Sequence, residues 1–297
     1  MDTVTAAQPP LWKRIWNFPL VAMLAAIAVT AAVLAVMNLV GGMLRGVLDR
    51  DVRGALMVLA TIAALIAAQK LVLRRLGERK HDDLPLAGAV QGLALGTFGA
   101  FVLFSVIVGI AALAGAYFIV GWGGMSNWLM LLFTAGISAG FVEEFIFRGI
   151  LLRWIEEFAG SYAALFITSA LFGLAHIGND NATWFSSFTI AVEAGLMLGG
   201  AYMLTRSLWV PIGLHFGWNM TQGLIWDVPV SGNDVDGLVD ARLAGDPLIS
   251  GGAFGLEASV IALVVAGGFG VWLIWRAARQ GEVMAPWWAR RRLAAEA

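Results

Sequence analysis

Residues 127–152 read NWLMLLFTAGISAGFVEEFIFRGILL, an apolar run interrupted only by Glu143, Glu144 and Arg148. A helix that crosses a bilayer needs about 20 mostly apolar residues, and this run has that length. Working outward, the same pattern recurs until eight spans are placed, near 18–42, 54–73, 88–118, 127–152, 161–178, 183–205, 209–226 and 255–277. The composition agrees: 60% of the 297 residues are hydrophobic and 13% charged, against about 45–50% apolar usage in soluble domains. The reading is an all-α polytopic transmembrane helix bundle.

Basic residues set the expected orientation, because short cytoplasmic loops carry the Lys and Arg excess. Lys13 and Arg14 precede the first span, Arg74, Arg75, Arg79 and Lys80 follow the second, Arg153 the fourth, Arg206 the sixth, and Arg276, Arg279 and Arg290 to Arg292 the last. All fall on one side. The opposite side holds GWGGM at 121–125, GNDNA at 178–182 and a stretch with Asp227, Asp234, Asp236, Asp240 and Asp246. Both termini are therefore expected in the cytoplasm. The run beginning near Phe18 is about twice the length of a signal-peptide core and is expected to stay as the first helix. The chain divides into a cytoplasmic segment at 1–17, N-terminal helices at 18–125, helices bearing the polar motifs at 126–226, an extracytoplasmic loop at 227–254, and a last helix with a basic tail at 255–297. Trp12, Trp16, Trp122, Trp128, Trp209, Trp226, Trp287 and Trp288 sit at span ends, where an amphipathic ring suits the headgroup region.

A net charge of −1 with no basic face excludes nucleic-acid binding. Cysteine is absent, so there is no disulfide framework and no thiol nucleophile. Gly92/Gly96, Gly136/Gly140 and Gly195/Gly199 have the four-residue spacing that lets helices approach closely in lipid. No internal repeat is visible, which counts against a transporter of inverted repeats.

Ionisable groups inside spans are costly, and they mark function by default. Here they are Glu143, Glu144, Arg148, His176, Glu193 and His215, with the amide of Asn219. Glu144 and Arg148 share a face at i, i+4 and can pair. Glu143 is rotated from its neighbour by about 100° and has no partner on its own helix. His215 and Asn219 share one face, Phe172 and His176 another. Two chemistries fit this set. In one, Glu143 is the general base on a water while His215 and Asn219 hydrogen-bond the oxyanion of a tetrahedral intermediate. In the other, His176, His215 and Glu143 hold a catalytic zinc. Both hydrolyse an amide.

The residues EEFIFR from Glu143 to Arg148, FGLAH from Phe172 to His176 and HFGWN from His215 to Asn219 resemble the EExxxR, FxxxH and HxxxN motifs of the CAAX protease and bacteriocin-processing (CPBP, or Abi) intramembrane proteases, which include the CAAX prenyl endopeptidase. The resemblance covers 143–219, and 229–255 also looks like a loop of bacterial members. It implies an endopeptidase acting on a membrane-associated protein or peptide, with Glu143 as the water-activating base. His176 would position the water or ligate a metal, His215 and Asn219 would stabilise the oxyanion, and Glu144 with Arg148 would form an internal pair. Zinc and a metal-free mechanism are both compatible with the motifs. The family also includes proposed immunity and scaffold proteins, so a non-catalytic membrane partner is the second reading and a proton-coupled transporter using Glu143, Glu144 and Glu193 the third. The compact loops suggest a bacterial plasma membrane. Glu193, outside the motifs, is expected to be an interior paired or protonated carboxylate, and 227–254 either a lid or a plain connection. Counted from the span starts, His176 lies about 22 Å along the fifth span and His215 about 9 Å along the seventh. Since both spans enter from the same side, these depths disagree, and the motif match is preferred to the span boundaries.

Overall fold

A computed structural model describes residues 10–296; the first nine residues of the expected N-terminal segment lie outside it. After a short α1 (Leu11–Trp16), α2 (Pro19–Met43) begins with Pro at a position where a missing N–H costs nothing. The Asp49 carboxylate accepts the Asp51 N–H at 2.9 Å to start α3 (Arg50–Leu71). Next come α4 (Ala89–Leu113), the long α5 (Trp128–Ala159) and α6 (Ser161–Ala175), which ends in a 3₁₀ turn at His176–Gly178. A Thr183–Ser186 capping box opens α7 (Trp184–Thr205). The next helix, α8 (Trp209–Asn219), runs on as a π-helix over Met220–Ile225. A one-turn α9 (Pro247–Ser250), the long α10 (Val260–Arg279) and the tail helix α11 (Trp287–Glu296) complete the chain.

Seven of these helices are long and apolar enough to cross a membrane. The seventh of the eight expected spans is the exception. Its helix, α8 with its π extension, ends at Ile225, and it can be short because eight of the eleven residues of α8 are buried by neighbouring helices. By contrast, α2 and α3 bury only 17% of their apolar windows, leaving side chains such as Leu24 and Leu39 more than 60% exposed. Such faces suit lipid, and the protein is an integral membrane protein. The most enclosed of the seven is α7, 61% buried, packed between α6 and α10.

The expected third span is too long in the sequence reading. The helix stops at Leu113 because Gly115 turns the chain at φ +71°, and Tyr117–Trp122 forms β1. This strand pairs antiparallel with β2 (Val239–Leu243), Tyr117 opposite Leu243 and Trp122 opposite Val239. The expected loop at 227–254 thus holds a strand and a helical turn.

The glycine pairs sit where helices touch. A Cβ on Gly96 of α4 would come within 2.3 Å of the Val210 carbonyl oxygen of α8, so only Gly permits this approach. At one end of the bundle, buried Asp83 accepts hydrogen bonds from Gln69 Nε2 (3.0 Å), Arg153 Nη1 (2.6 Å) and the Tyr202 hydroxyl (2.6 Å), tying together α3, α5 and α7. Arg206 completes this clasp on Glu156 (2.5 Å) and Glu282 (3.0 Å).

Candidate active site

The EExxxR motif lies on an unusual part of α5. Ala139–Glu144 is α-helical, but Leu131–Ser138 before it and Phe145–Leu152 after it are π-helical. Such segments are rare and gather at functional sites. Glu144 is fully buried, and its Oε1 accepts Arg148 Nη1 at 2.8 Å, the expected i, i+4 pair. The same oxygen also meets His215 Nδ1 at 2.9 Å. Glu144 therefore joins α5 to α8, a role wider than the internal pair expected for it.

Glu143 makes no hydrogen bond within the described residues, and its Oε2 is buried without a partner. It stands close enough for its charge to act on both imidazoles. The isolation expected from rotation about the helix is what the structure contains.

Phe172 organises the rest. Its buried ring packs on the Arg148 guanidinium at 4.5 Å, on His176 at 4.8 Å and edge-on against His215 at 6.1 Å. The two imidazoles line one cavity, as the motif match implies against the span boundaries. His176 Nδ1 bonds the Phe172 carbonyl at 2.8 Å, so its ring folds back one helical turn toward the start of α6. A carbonyl only accepts, so Nδ1 carries the proton, and in the neutral ring Nε2 keeps its lone pair. For His215, the carboxylate partner likewise makes Nδ1 the donor.

Phe172, His176, His215 and Asn219 line one cavity together with Glu193, Trp218, Ser231 and Glu257. Its free volume of about 20 Å³ is room for one or two waters. Glu143 is not part of that wall. Asn219 spends one amide hydrogen on the Ala135 carbonyl at 2.8 Å, leaving the other available.

Glu257 and Ser231 of the wall were not singled out from the sequence. Glu257 follows the loop, and it accepts the Ser231 backbone N–H with Gln222 and Trp218 within reach. Burial pushes its carboxyl up to about 7. Glu193, 1% exposed, faces it with Oε2 unpartnered. Ser231 belongs to a strap over the cavity. Asn179 Nδ2 donates to Ser231 O at 3.2 Å, Asn181 Nδ2 to Gly232 O at 3.1 Å, and Gly232 N–H to Phe254 O at 3.0 Å. Gly232, at φ +84°, lies so close to the Asp180 carbonyl that a Cβ would approach its oxygen to 1.8 Å. A carboxylate just past a glycine-rich loop, GGAFGLE, was the one available signal for Glu257.

The imidazoles have the second-partner pattern usual for metal ligands, each Nδ1 held by an oxygen. Among the described residues, however, no three His, Asp or Glu side chains converge closely enough to hold a cation. The donor set as placed does not fit a three-ligand zinc site.

Residues 125–221 match the family model of the Rce1-like type II CAAX prenyl endopeptidases. No curated protein and no solved structure matches the chain significantly. The matched segment, about a third of the chain, contains all three motifs, and over those residues the chain is similar to that family.

Proposed function

We propose that this protein is a CAAX-protease-like endopeptidase that hydrolyses a peptide bond of a membrane-associated protein or peptide with a water activated by Glu143. The observation that carries the reading is an unpartnered buried carboxylate oxygen on α5 within electrostatic reach of two imidazoles on two other helices, each with its Nδ1 held by an oxygen. A water placed among them would give one proton to Glu143 and direct the other at the lone pair on His176 Nε2. Its oxygen attacks the carbonyl carbon, and the proton held by Glu143 passes to the leaving amine.

The oxyanion needs donors. His215 can supply Nε2–H only as an imidazolium, because Nδ1–H is committed to Glu144. The carboxylate of Glu144 is then its counter-charge, and the second amide hydrogen of Asn219 is the other donor. A preorganised donor of this kind is worth about 10²–10³ in rate.

Purified protein in proteoliposomes, given a fluorogenic peptide carrying a membrane anchor, tests the proposal. Glu143→Gln and His176→Ala, each with a wild-type melting curve, are expected to lose about 10²–10⁴ in kcat. Cleavage by Glu143→Gln at the wild-type rate would remove Glu143 as the base.

A further inference from the structure

A second cavity, of about 330 Å³, lies at the end of the bundle that carries the polar clasp, far larger than the one beside the imidazoles. Its wall draws on four separate basic clusters of the sequence, through Arg79 and Lys80, Arg153, Arg206 and Arg290. Two of these cations are neutralised: Arg153 by Asp83 at 2.6 Å, and Arg206 by Glu156 and Glu282.

The other three are not. Arg79 finds only the thioether sulfur of Met284 at 3.3 Å, a weak acceptor. Lys80 bonds the Arg75 backbone carbonyl at 2.6 Å. Arg290 meets the backbone oxygens of Ala285 (2.5 Å) and Glu157 (2.9 Å). The wall thus sets five Arg and Lys against three carboxylates: Glu156 and Glu282, both on Arg206, and Glu157, which forms no ion pair within 4 Å among the described residues. Burial, and then the adjoining Arg79 guanidinium, lower the pKa of Arg290. Two like charges thus share one open volume, while Arg153, only 3% exposed and also in the wall, has an unpartnered Nε.

Beside the cavity is an aromatic shelf. Phe18 packs edge-on against Trp287 at 5.6 Å, and Phe158 against Trp288 at 5.6 Å. Arg291 lies over Trp287 at 4.6 Å. Trp belts mark the headgroup level of a membrane, and basic pockets between spanning helices at that level bind phosphate headgroups. We propose that Arg79, Lys80 and Arg290 form a site for the phosphate of an anionic phospholipid headgroup, whose chains leave over the Trp287 and Trp288 shelf.

The full chain in mixed micelles tests this by tryptophan-fluorescence melting. Phosphatidylglycerol is expected to raise the wild-type Tm by about 2–4 °C over phosphatidylcholine alone. Arg79→Gln/Arg290→Gln should lose that shift, whereas Arg74→Gln/Arg292→Gln, which removes equal charge from exposed positions outside the cavity, should keep it. Equal shifts in wild type and Arg79→Gln/Arg290→Gln would overturn the site. Inorganic phosphate reproducing the shift in wild type alone would keep the phosphate chemistry and overturn the lipid as its source. Native mass spectrometry of the wild type needs no variant: it should retain phosphatidylglycerol in preference to phosphatidylcholine, and no preference would overturn the proposal.

Discussion

Glu144→Gln separates a structural ion pair from a working one. The substitution keeps the shape and an oxygen that can accept from both Arg148 Nη1 and His215 Nδ1, the two donors now converging on Oε1 at 2.8 and 2.9 Å. It removes only the charge. Arg148 is 1% exposed, and breaking a buried pair from one side costs about 3–5 kcal/mol. The Phe172 ring at 4.5 Å and the Ala194 carbonyl at 3.2 Å still hold the guanidinium, so the lower end of that range is expected. The rate should fall separately by about 10²–10³, because an imidazolium at His215 no longer has its counter-charge. Replacing Arg148 as well resolves the two effects. Glu144→Gln/Arg148→Met should regain most of the lost stability, since an apolar replacement of a buried pair is often neutral, yet remain as slow as Glu144→Gln. Melting curves and single-turnover cleavage in proteoliposomes give both quantities. If the double variant recovers its rate along with its stability, the idea that Glu144 serves His215 is refuted.

Two further outcomes follow from the packing and the cavity wall. Because the folded state raises the Glu257 carboxyl from 4.5 to about 7, it favours the protonated form; that stability is fully present below about pH 4.5 and is lost as pH rises through about 7. Wild-type Tm should fall over that interval by an amount equivalent to at most about 3 kcal/mol, and Glu257→Gln should flatten the profile. Gly96→Ala, forced within 2.3 Å of Val210 O, should destabilise the protein by about 1–3 kcal/mol, whereas Gly109→Ala, with nothing within 4 Å, should leave the melting curve of the protein unchanged or raised.

Much of the bundle was legible because lipid leaves little choice: long apolar runs separated by turns locate the helices, although the fourth runs on to Ala159, past its expected end at 152. The errors fall where local signals compete. Gly115 ended α4 inside an apolar run, and the residues after it joined a strand whose partner lies more than a hundred positions away. The motifs named both imidazoles, and rotation about α5 was enough to find Glu143 without a local partner. That argument sees only one helix at a time. It paired Glu144 with Arg148 but had no access to His215 on α8, and it left Asn219 free when Ala135 takes one of its hydrogens. The π-helical flanks of Ala139–Glu144 were equally invisible, since a period of 3.6 was assumed throughout. Glu257 and Ser231 escaped because loop composition says nothing about which active wall a loop will complete.

The strap through Ser231 and Gly232 changes how selectivity can work in such a molecule. A chamber with space for a water or two cannot choose its substrate by the fit of side chains, for none enters while Asn179, Asn181 and Phe254 hold the strap in place. On the proposed reading, discrimination would belong to the act of entry: a membrane-associated segment would be cut only if it could prise apart the contacts of Asn179, Asn181 and Phe254 that hold the strap.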